Sequence, residues 1–466
     1  MSITRRDAFK IAGATAAVAA TATLTGCTSE GAAKPAEVTG ASAGMLMPKS
    51  AGKRVVIIGG GFGGLTAAKY LRKQDKSIEV VVIEKRDIFM SCPFSNSLLG
   101  GLEDVTLDTL TRDLYAAAGK YGYQLQQATV TDINRGSKTV MTNRGVIDYD
   151  ILILSPGIAY DYKGQFPEWS ADKIRHVQQG APAAMMAGSE HLALKRMMDN
   201  MDEGNIIITK PAGKYRCPPA PFERACMIAS YMMKEEIPGK VIILNANKGV
   251  AKGKAFKEAW KELYGSKIEH REDCDITDVD LEKGVISYDK IVGTDKNDDD
   301  IIEKQTETFA VLNLIPKNMA SPVVAMADLK TNGWGGVAMN GASFQSKTDK
   351  NVYAIGDVVG HAIPPSGQTA NWGAKEAAKE IVAQMNGKPA YKLDLPYSAA
   401  NVCYSMVGDG PEEAIMVTHD FAFNGTVIKG KGNVPHPKDG NGKFRSKNTA
   451  KATHEWLRGI LDDMFM

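Results

Sequence analysis

Residues 53–86 read KRVVIIGGGFGGLTAAKYLRKQDKSIEVVVIEKR. The run Val55-Val56-Ile57-Ile58 is short, apolar and β-branched, the pattern of a strand buried on both faces of a parallel sheet. Gly59, Gly61 and Gly64 follow in G-x-G-x-x-G spacing, with Gly63 inside the same turn, and a helix is expected over 65–72. A second strand, expected over 79–83, ends on Glu84, twenty residues past the last glycine. Gly59 permits the tight turn, Gly61 lets the backbone approach a pyrophosphate, and Gly64 lets the helix pack on the strand. The helix N-terminus offers free N–H groups and a positive dipole end to the phosphates. Glu84, followed by Lys85, is placed to accept from the adenosine ribose hydroxyls. A strand, a glycine turn, a helix and a correctly spaced acid together predict a dinucleotide-binding βαβ unit.

At 466 residues the chain exceeds one hydrophobic core and is expected to hold two or three domains. Hydrophobic residues make up 44% and charged residues 24%, an ordinary globular composition. A net charge of +2 lacks the basic excess of a nucleic-acid binder. No apolar run of about 20 residues occurs after residue 30, so no internal membrane span is expected.

The N-terminus reads as an export signal. Arg5-Arg6 precede a weakly apolar Ala/Thr-rich stretch over 11–25, ending in Leu24-Thr25-Gly26-Cys27. The paired arginines indicate the twin-arginine (Tat) route, hence a periplasmic protein. Leu-Thr-Gly-Cys resembles a lipoprotein box, with lipid on Cys27 as the only membrane contact; cleavage later in the small-residue linker is the alternative. Residues 28–52, rich in Ala, Gly and Ser, read as a flexible tether. Beside Cys27 stand Cys92, Cys217, Cys226, Cys274 and Cys403, an odd number that leaves at least one outside any disulfide.

Further along, Cys92-Pro93 would place Cys92 at a helix N-terminus, with Pro93 in the first turn. Strands are expected over 124–130, 138–142 and 149–154, the last running into Ser155-Pro156-Gly157. A second βαβ unit begins with a strand over 205–209, followed by Lys210-Pro211-Ala212-Gly213-Lys214-Tyr215-Arg216-Cys217-Pro218-Pro219-Ala220-Pro221 where a nicotinamide nucleotide would need a glycine cradle. Proline has no N–H to offer a phosphate, so this second nucleotide site reads as lost. A helix is expected over 223–233 and a strand over 241–244, while acidic residues 294–304 read as a solvated loop. The strand over 352–357 ends in Gly356-Asp357, which resembles the second flavin signature of two-dinucleotide-fold flavoproteins and by that resemblance implies a carboxylate that accepts from ribityl hydroxyls, and Ser366-Gly367-Gln368-Thr369-Ala370 opens a helix toward Met385. A helix N-terminus there would stabilise negative charge on a reduced flavin. The C-terminal helix over 451–465 carries Trp456, Leu457, Ile460 and Leu461 on one face, read as a packing surface.

With these residues in view, the chain resembles the flavoprotein subunit of flavocytochrome c sulfide dehydrogenase, within the sulfide:quinone oxidoreductase group. The motifs are VVIIGGGFGGLTAAKYL, SCPFSNSLLGG, YDILILSPG, YRCPPAPFERA, WKELYG, NLIP, VYAIGDV, SGQTANWGAK and NVCYS. The resemblance implies an α/β fold of two Rossmann-like domains, one for FAD and one degenerate, with a C-terminal α+β domain. The expected divisions are signal 1–27, linker 28–52, FAD domain 53–165 and 325–396, second domain 166–324, and an interface domain 397–466. It implies FAD contacts from Gly59, Gly61, Gly63, Gly64, Glu84, Lys85, Cys92, Asn96, Pro156, Gly157, Gly356, Asp357, Ser366, Thr369 and Ala370. Cys92 matches the cysteine that holds FAD covalently; a structural thiol and a redox cysteine are its other readings. Cys217 matches one half of the family's redox disulfide, and Glu223 a nearby acid/base group or, alternatively, a first-turn helix acid.

One departure stands out. The family's second redox cysteine follows a Gly-Trp pair, and here that place is Gly335, in Asn332-Gly333-Trp334-Gly335. Cys217 then works alone, as a persulfide, or with another cysteine such as Cys403. The expected function is oxidation of sulfide or polysulfide with electrons passed through FAD to a c-type cytochrome, which must be a separate chain because no C-x-x-C-H motif is present. A disulfide or polysulfide reductase, and an electron-transfer flavoprotein without sulfide chemistry, are the alternatives.

Overall fold

The computed structural model describes residues 44–437, 439 and 442–466. The export signal, Cys27 and residues 28–43 of the expected tether lie outside the described residues. The rest of that tether is not loose. Leu46 N–H donates to Val146 O at 2.8 Å, Ser50 Oγ to Asp150 at 2.7 Å, and Met47 is buried. These contacts dock residues 44–50 on the first domain, because backbone groups there find partners that a free linker lacks.

The first domain is built on a parallel sheet in the order Val352–Ala354, Ile151–Leu154, Arg54–Ile58, Glu79–Glu84, Gln124–Gln127. Arg54–Ile58 is buried throughout, as its β-branched run requires. The chain leaves this central strand on one side for Glu79–Glu84 and returns on the other with Ile151–Leu154. The carboxyl end of Arg54–Ile58 is therefore a topological switch point, where open α/β sheets receive ligands. The expected strand over 124–130 divides: Gln124–Gln127 closes this sheet, while Val130–Asn134 starts a separate antiparallel meander with Thr139–Thr142 and Gly145–Asp148.

The second sheet repeats the plan in the order Ile268–Arg271, Val241–Asn245, Ile206–Lys210, Val311–Asn313, all parallel. Its crossover helix, Ala220–Lys234, begins beside the Cys217 loop. A short antiparallel pair, Ile158–Tyr160 with Asn318–Ala320, carries the chain out of the first domain and back. The acidic stretch 294–304 is a loop only over 295–299. Val285–Thr294 and Asp300–Thr308 pair as a hairpin, with only the turn between them unpaired.

Residues from 397 form a three-stranded antiparallel sheet, Tyr397–Asp409, Glu412–Phe423 and Ile428–Asn433, followed by helix Lys447–Phe465. Leu457, Ile460, Leu461, Met464 and Phe465 are buried, so the expected apolar face is a packing surface. Phe465 lies 5.1 Å from Phe89, and Asp463 pairs with Lys375 at 2.8 Å and accepts from Tyr70 Oη at 2.7 Å. Trp456 Nε1 donates to Gln368 at 2.8 Å, so this helix braces the start of helix Gly367–Met385. Among the described residues no helix is long and apolar enough to cross a membrane.

Candidate functional site

The glycine turn at the first switch point has the shape its spacing predicts. Gly59 has φ +107°, and a Cβ there would sit 2.3 Å from Ser155 O. A Cβ on Gly64 would lie 1.8 Å from Gly59 O, so the helix approaches the strand as only glycine permits. Gly61 differs: a Cβ there would meet no atom within 4 Å, and its side faces open space. Gly61 caps helix Phe62–Gln74 without a side-chain hydrogen bond, which leaves first-turn N–H groups for an anion. Gly63 packs toward Ser155.

Glu84 is buried, and its Oε2 accepts from Gly60 N–H at 2.6 Å. Its Oε1 accepts from the backbone N–H and Nε of Arg86, each at 3.0 Å. Burial works against its charge, but the Arg86 guanidinium and these hydrogen bonds outweigh it and hold the carboxyl below its ordinary range. An ionised acceptor thus stands beside the pyrophosphate turn. Lys85 points to solvent.

At the other end, Gly356 (φ +70°) opens the turn Gly356–Val358 and faces Ala370. Asp357 Oδ2 accepts from Arg216 Nε at 2.8 Å and Nη2 at 2.5 Å. Its Oδ1 has no protein donor among the described residues and is the atom free for a ribityl hydroxyl. Gly157 (φ +76°) makes room for Arg216, since a Cβ there would meet Nη2 at 2.7 Å; Pro156 precedes it in the same turn. Ser366 caps helix Gly367–Met385 by accepting from Thr369 N–H at 3.1 Å, and both hydroxyls also reach Asn401 Oδ1.

A glycine cradle open at Gly61, an ionised Glu84 and a capped helix N-terminus are the features an adenine dinucleotide flavin needs. These residues fit FAD.

Cys92 lies near this end but not in a helix first turn. Helix Ser95–Leu99 is only five residues long, and Pro93 belongs to the turn before it. Phe94 in left-handed conformation (φ +68°) separates them. Cys92 Sγ lies 3.8 Å from Arg216 Nη1 and 3.6 Å from Met185 O, so a guanidinium rather than a helix dipole faces the thiol.

Cys217 sits one residue from that arginine, also left-handed (φ +54°), a strained conformation of the kind that collects at functional sites. Its N–H donates to Pro365 O at 3.3 Å, tying the loop to the cap of the Gly367 helix. Burial, then negative charge on Cys403 and Glu223, pushes its thiol well above the ordinary range, while Lys252 opposes them. Glu223, in the first turn of its helix, does not cap it. Its Oε1 accepts from Met406 N–H at 3.1 Å and its Oε2 from Asn96 Nδ2 at 3.2 Å. Burial raises this carboxyl, Lys252 opposing, so it holds a proton at higher pH than a surface glutamate.

Asn96 therefore serves this network: its Oδ1 accepts from the fully buried Arg224 Nε at 2.9 Å. Arg224 also donates to Asn313 Oδ1 at 2.7 Å and to the carbonyls of Ala183 and Ala184, and burial lowers it to about 10.

Two participants escaped the sequence reading. Arg216 lies inside the YRCPPAPFERA motif, and its place beside Cys217 was the available signal. Lys252 carries no local signal: it is buried, left-handed (φ +59°), and donates to Cys403 O at 2.8 Å and Ser405 Oγ at 2.9 Å. Gly335 has φ +89°. Cys226 is fully buried against Trp260 Nε1 at 3.2 Å, and Cys274 is buried in a separate apolar cluster. Cys92, Cys217 and Cys403 remain half-buried near the site.

Three family models match this chain. Residues 191–316 match the central region of the sulfide dehydrogenase (flavocytochrome c) flavoprotein chain, and residues 396–465 match the flavin-binding region of flavocytochrome c sulphide dehydrogenase. Residues 53–179 match the pyridine nucleotide-disulphide oxidoreductase model. The sulfide dehydrogenase flavoprotein chain of Chlorobaculum thiosulfatiphilum is 59% identical over 46 residues, which is 96% of that sequence and 10% of this one. The mitochondrial sulfide:quinone oxidoreductase of Mus musculus is 24% identical over 357 residues, 73% of each chain. The structure of sulfide:quinone oxidoreductase from Aquifex aeolicus superposes with a TM-score of 0.66 at 18% identity, over 89% of this chain and 91% of that one, a likeness of fold. With the FAD-fitting cradle and the Cys217 loop in place, this chain belongs to the family of flavoprotein chains of flavocytochrome c sulfide dehydrogenase, and its cofactor is FAD.

Proposed function

We propose that this protein is an FAD-dependent oxidoreductase that draws two electrons from sulfide or polysulfide and delivers them to a separate c-type cytochrome in the periplasm. The observation that carries the reading is the setting of Cys217, a half-buried thiol whose loop is tied to Asp357 through Arg216 and to the Gly367 helix through Pro365. The Tat-like N-terminus, with a lipid anchor on Cys27, supports export, and the flavocytochrome family supports a cytochrome acceptor.

Cys403 is the second thiol we assign to Cys217. Asn401, Cys403 and Ser405 alternate along strand Tyr397–Asp409 and so share one face. Asn401 accepts from Ser366 at 2.7 Å, and Ser405 accepts from Lys252, whose charge acts on Cys217. The thiol between them therefore faces the same site. In the oxidised protein the two sulfurs form a disulfide. Attack of HS⁻ on Cys217 Sγ makes a new S–S bond, breaks the old one and leaves Cys403 as a thiolate. A second HS⁻ attacks the outer persulfide sulfur, releases a disulfide anion and returns Cys217 to the thiol. Glu223 takes the sulfide protons, and the Lys252 charge opposes the upward shift of the Cys217 thiol. FAD, held by the Gly59–Gly64 turn, Glu84 and Asp357, would supply the two-electron acceptor that the Cys217–Cys403 dithiol needs to return to the disulfide. Cys92 is the attachment point we assign to the flavin, with Arg216 holding its thiol in place.

Anaerobic titration with sulfide tests this. The wild-type flavin band bleaches stoichiometrically, and Cys217→Ser and Cys403→Ser lose at least about tenfold in rate, as expected for disulfide exchange with one sulfur removed. If sulfide and polysulfide leave the flavin oxidised while another reductant bleaches it rapidly, the reading is wrong.

A further inference from the structure

A cavity of about 420 Å³ opens at the carboxyl end of Ile206–Lys210 and Val241–Asn245 in the second sheet. This is that sheet's own switch point, where its ancestral fold would receive a ligand. One wall is the Cys217 loop: Tyr215 and Pro218 flank the cysteine, and Pro365 accepts its N–H. Three lysines line it, Lys210, Lys214 and Lys248.

Their pairing is incomplete. Lys210 Nζ donates to Asn247 Oδ1 at 2.5 Å, and Lys214 Nζ lies 4.3 Å over the Trp334 ring. Among the described residues neither has a carboxylate within ion-pair distance; Asp357, whose charge acts on Lys214, is already bonded to Arg216. Lys248 has only Asp273 at 3.8 Å, on a side chain that is 80% exposed. Burial works against the charges of Lys210 and Lys214. Two half-buried ammonium groups without counter-charge, facing one cavity, are relieved by an anion that enters it. A nucleotide is the poorer occupant, because Pro211, Pro218, Pro219 and Pro221 withhold the N–H groups a pyrophosphate needs.

We propose that this cavity binds small sulfur dianions, inorganic polysulfide or thiosulfate, and holds them beside Cys217. The former nucleotide crevice thereby becomes an antechamber for the sulfur chemistry. The inference rests on the proposed role of Cys217, and its test requires no turnover.

The reduced holoprotein is alkylated with neutral iodoacetamide or anionic iodoacetate, and modification of Cys217 is followed by peptide mass spectrometry. In wild type, thiosulfate slows carbamidomethylation of Cys217 and ADP at equal concentration does not. In Lys210→Gln/Lys214→Gln, protection by thiosulfate weakens and the iodoacetate-to-iodoacetamide ratio falls, each by about tenfold, as expected for loss of two charge-assisted contacts. Lys214→Arg keeps both close to wild type, and an unchanged flavin spectrum shows that the variants are folded. Protection that survives in the double variant, protection by ADP but not thiosulfate, or no protection in wild type each overturns the proposal. Sulfide bleaching of the flavin is scored separately, so failure of the cavity and failure of the sulfide chemistry are distinguishable.

Discussion

Arg216 reaches Asp357 with two donors on one oxygen, Nε and Nη2 both on Oδ2, and thereby fastens the Cys217 loop to the turn that ends the last strand of the first sheet. The side chains are only 20% and 12% exposed, so neither charge is well solvated alone. Removing one partner strands the other. Arg216→Gln is expected to cost roughly 3 kcal/mol of stability and to loosen flavin retention, with Arg216→Lys intermediate because an ammonium cannot present a planar fork. Thermal unfolding followed by flavin fluorescence measures both, and an unchanged midpoint in Arg216→Gln would show that the pair carries no stability.

Cys92 offers its thiol 3.8 Å from the same guanidinium. A flavin attached there stays with the polypeptide through denaturing electrophoresis and fluoresces in the band, and Cys92→Ala abolishes that fluorescence. Complete release of flavin from acid-denatured wild type rules the attachment out.

Gly335 cannot simply be returned to cysteine. Its φ of +89° suits glycine, and an added Cβ would stand 3.2 Å from Ala320 Cβ. Gly335→Cys is expected to lose about 1–2 kcal/mol from left-handed backbone strain. The unfolding midpoint should fall by a few degrees; a midpoint at or above wild type contradicts the backbone described here.

The Cys217 thiol is raised by burial, by Cys403 and by Glu223. Its alkylation rate should climb only above the usual thiol range. Glu223→Gln removes one of the negative neighbours, so the midpoint of the rate–pH profile moves down and Cys217 reacts several-fold faster at pH 8, on the Coulombic scale of a charge a few ångströms away. A midpoint that moves up in Glu223→Gln removes the carboxylate from the neighbourhood of the thiol.

His191 is fully buried on helix Ser189–Asp199, and burial, with the Arg224 charge, lowers it from 6.5 to about 3. A base whose folded pKa is depressed favours the folded state when neutral. Its contribution is complete above pH 6.5 and is lost as pH falls toward 3, by roughly 1.4 kcal/mol per pH unit. Denaturant melts between pH 7 and 4 should therefore show a shallower acid loss in His191→Leu. Equal slopes in the two proteins would mean that another group sets the acid limit.

Local patterns announced the first domain because its signals are local. Four β-branched residues demand a buried strand, and glycines at fixed spacing demand a turn that admits no side chain at Gly59 or Gly64, so Arg54–Ile58, Gly59, Gly64 and Glu84 were legible from one stretch. The lack of a glycine fingerprint at the end of the second domain's first strand was equally legible, since proline removes its N–H wherever it stands. The apolar stripe of the last helix likewise foretold its packing. Only tertiary structure could bring Arg216 to Asp357, place Lys252 under Cys403 and Ser405, and turn Glu223 from a helix-end acid into a partner of Met406 and Asn96. Those contacts join residues 127 to 183 positions apart, through side chains whose local sequence is ordinary, and no periodicity encodes them. Three lysines around one cavity are invisible to spacing for the same reason: Lys210, Lys214 and Lys248 come together because two parallel strands end side by side. Sequence determined what the first domain binds. The fold decided what surrounds Cys217, because charge and burial act through space rather than along the chain.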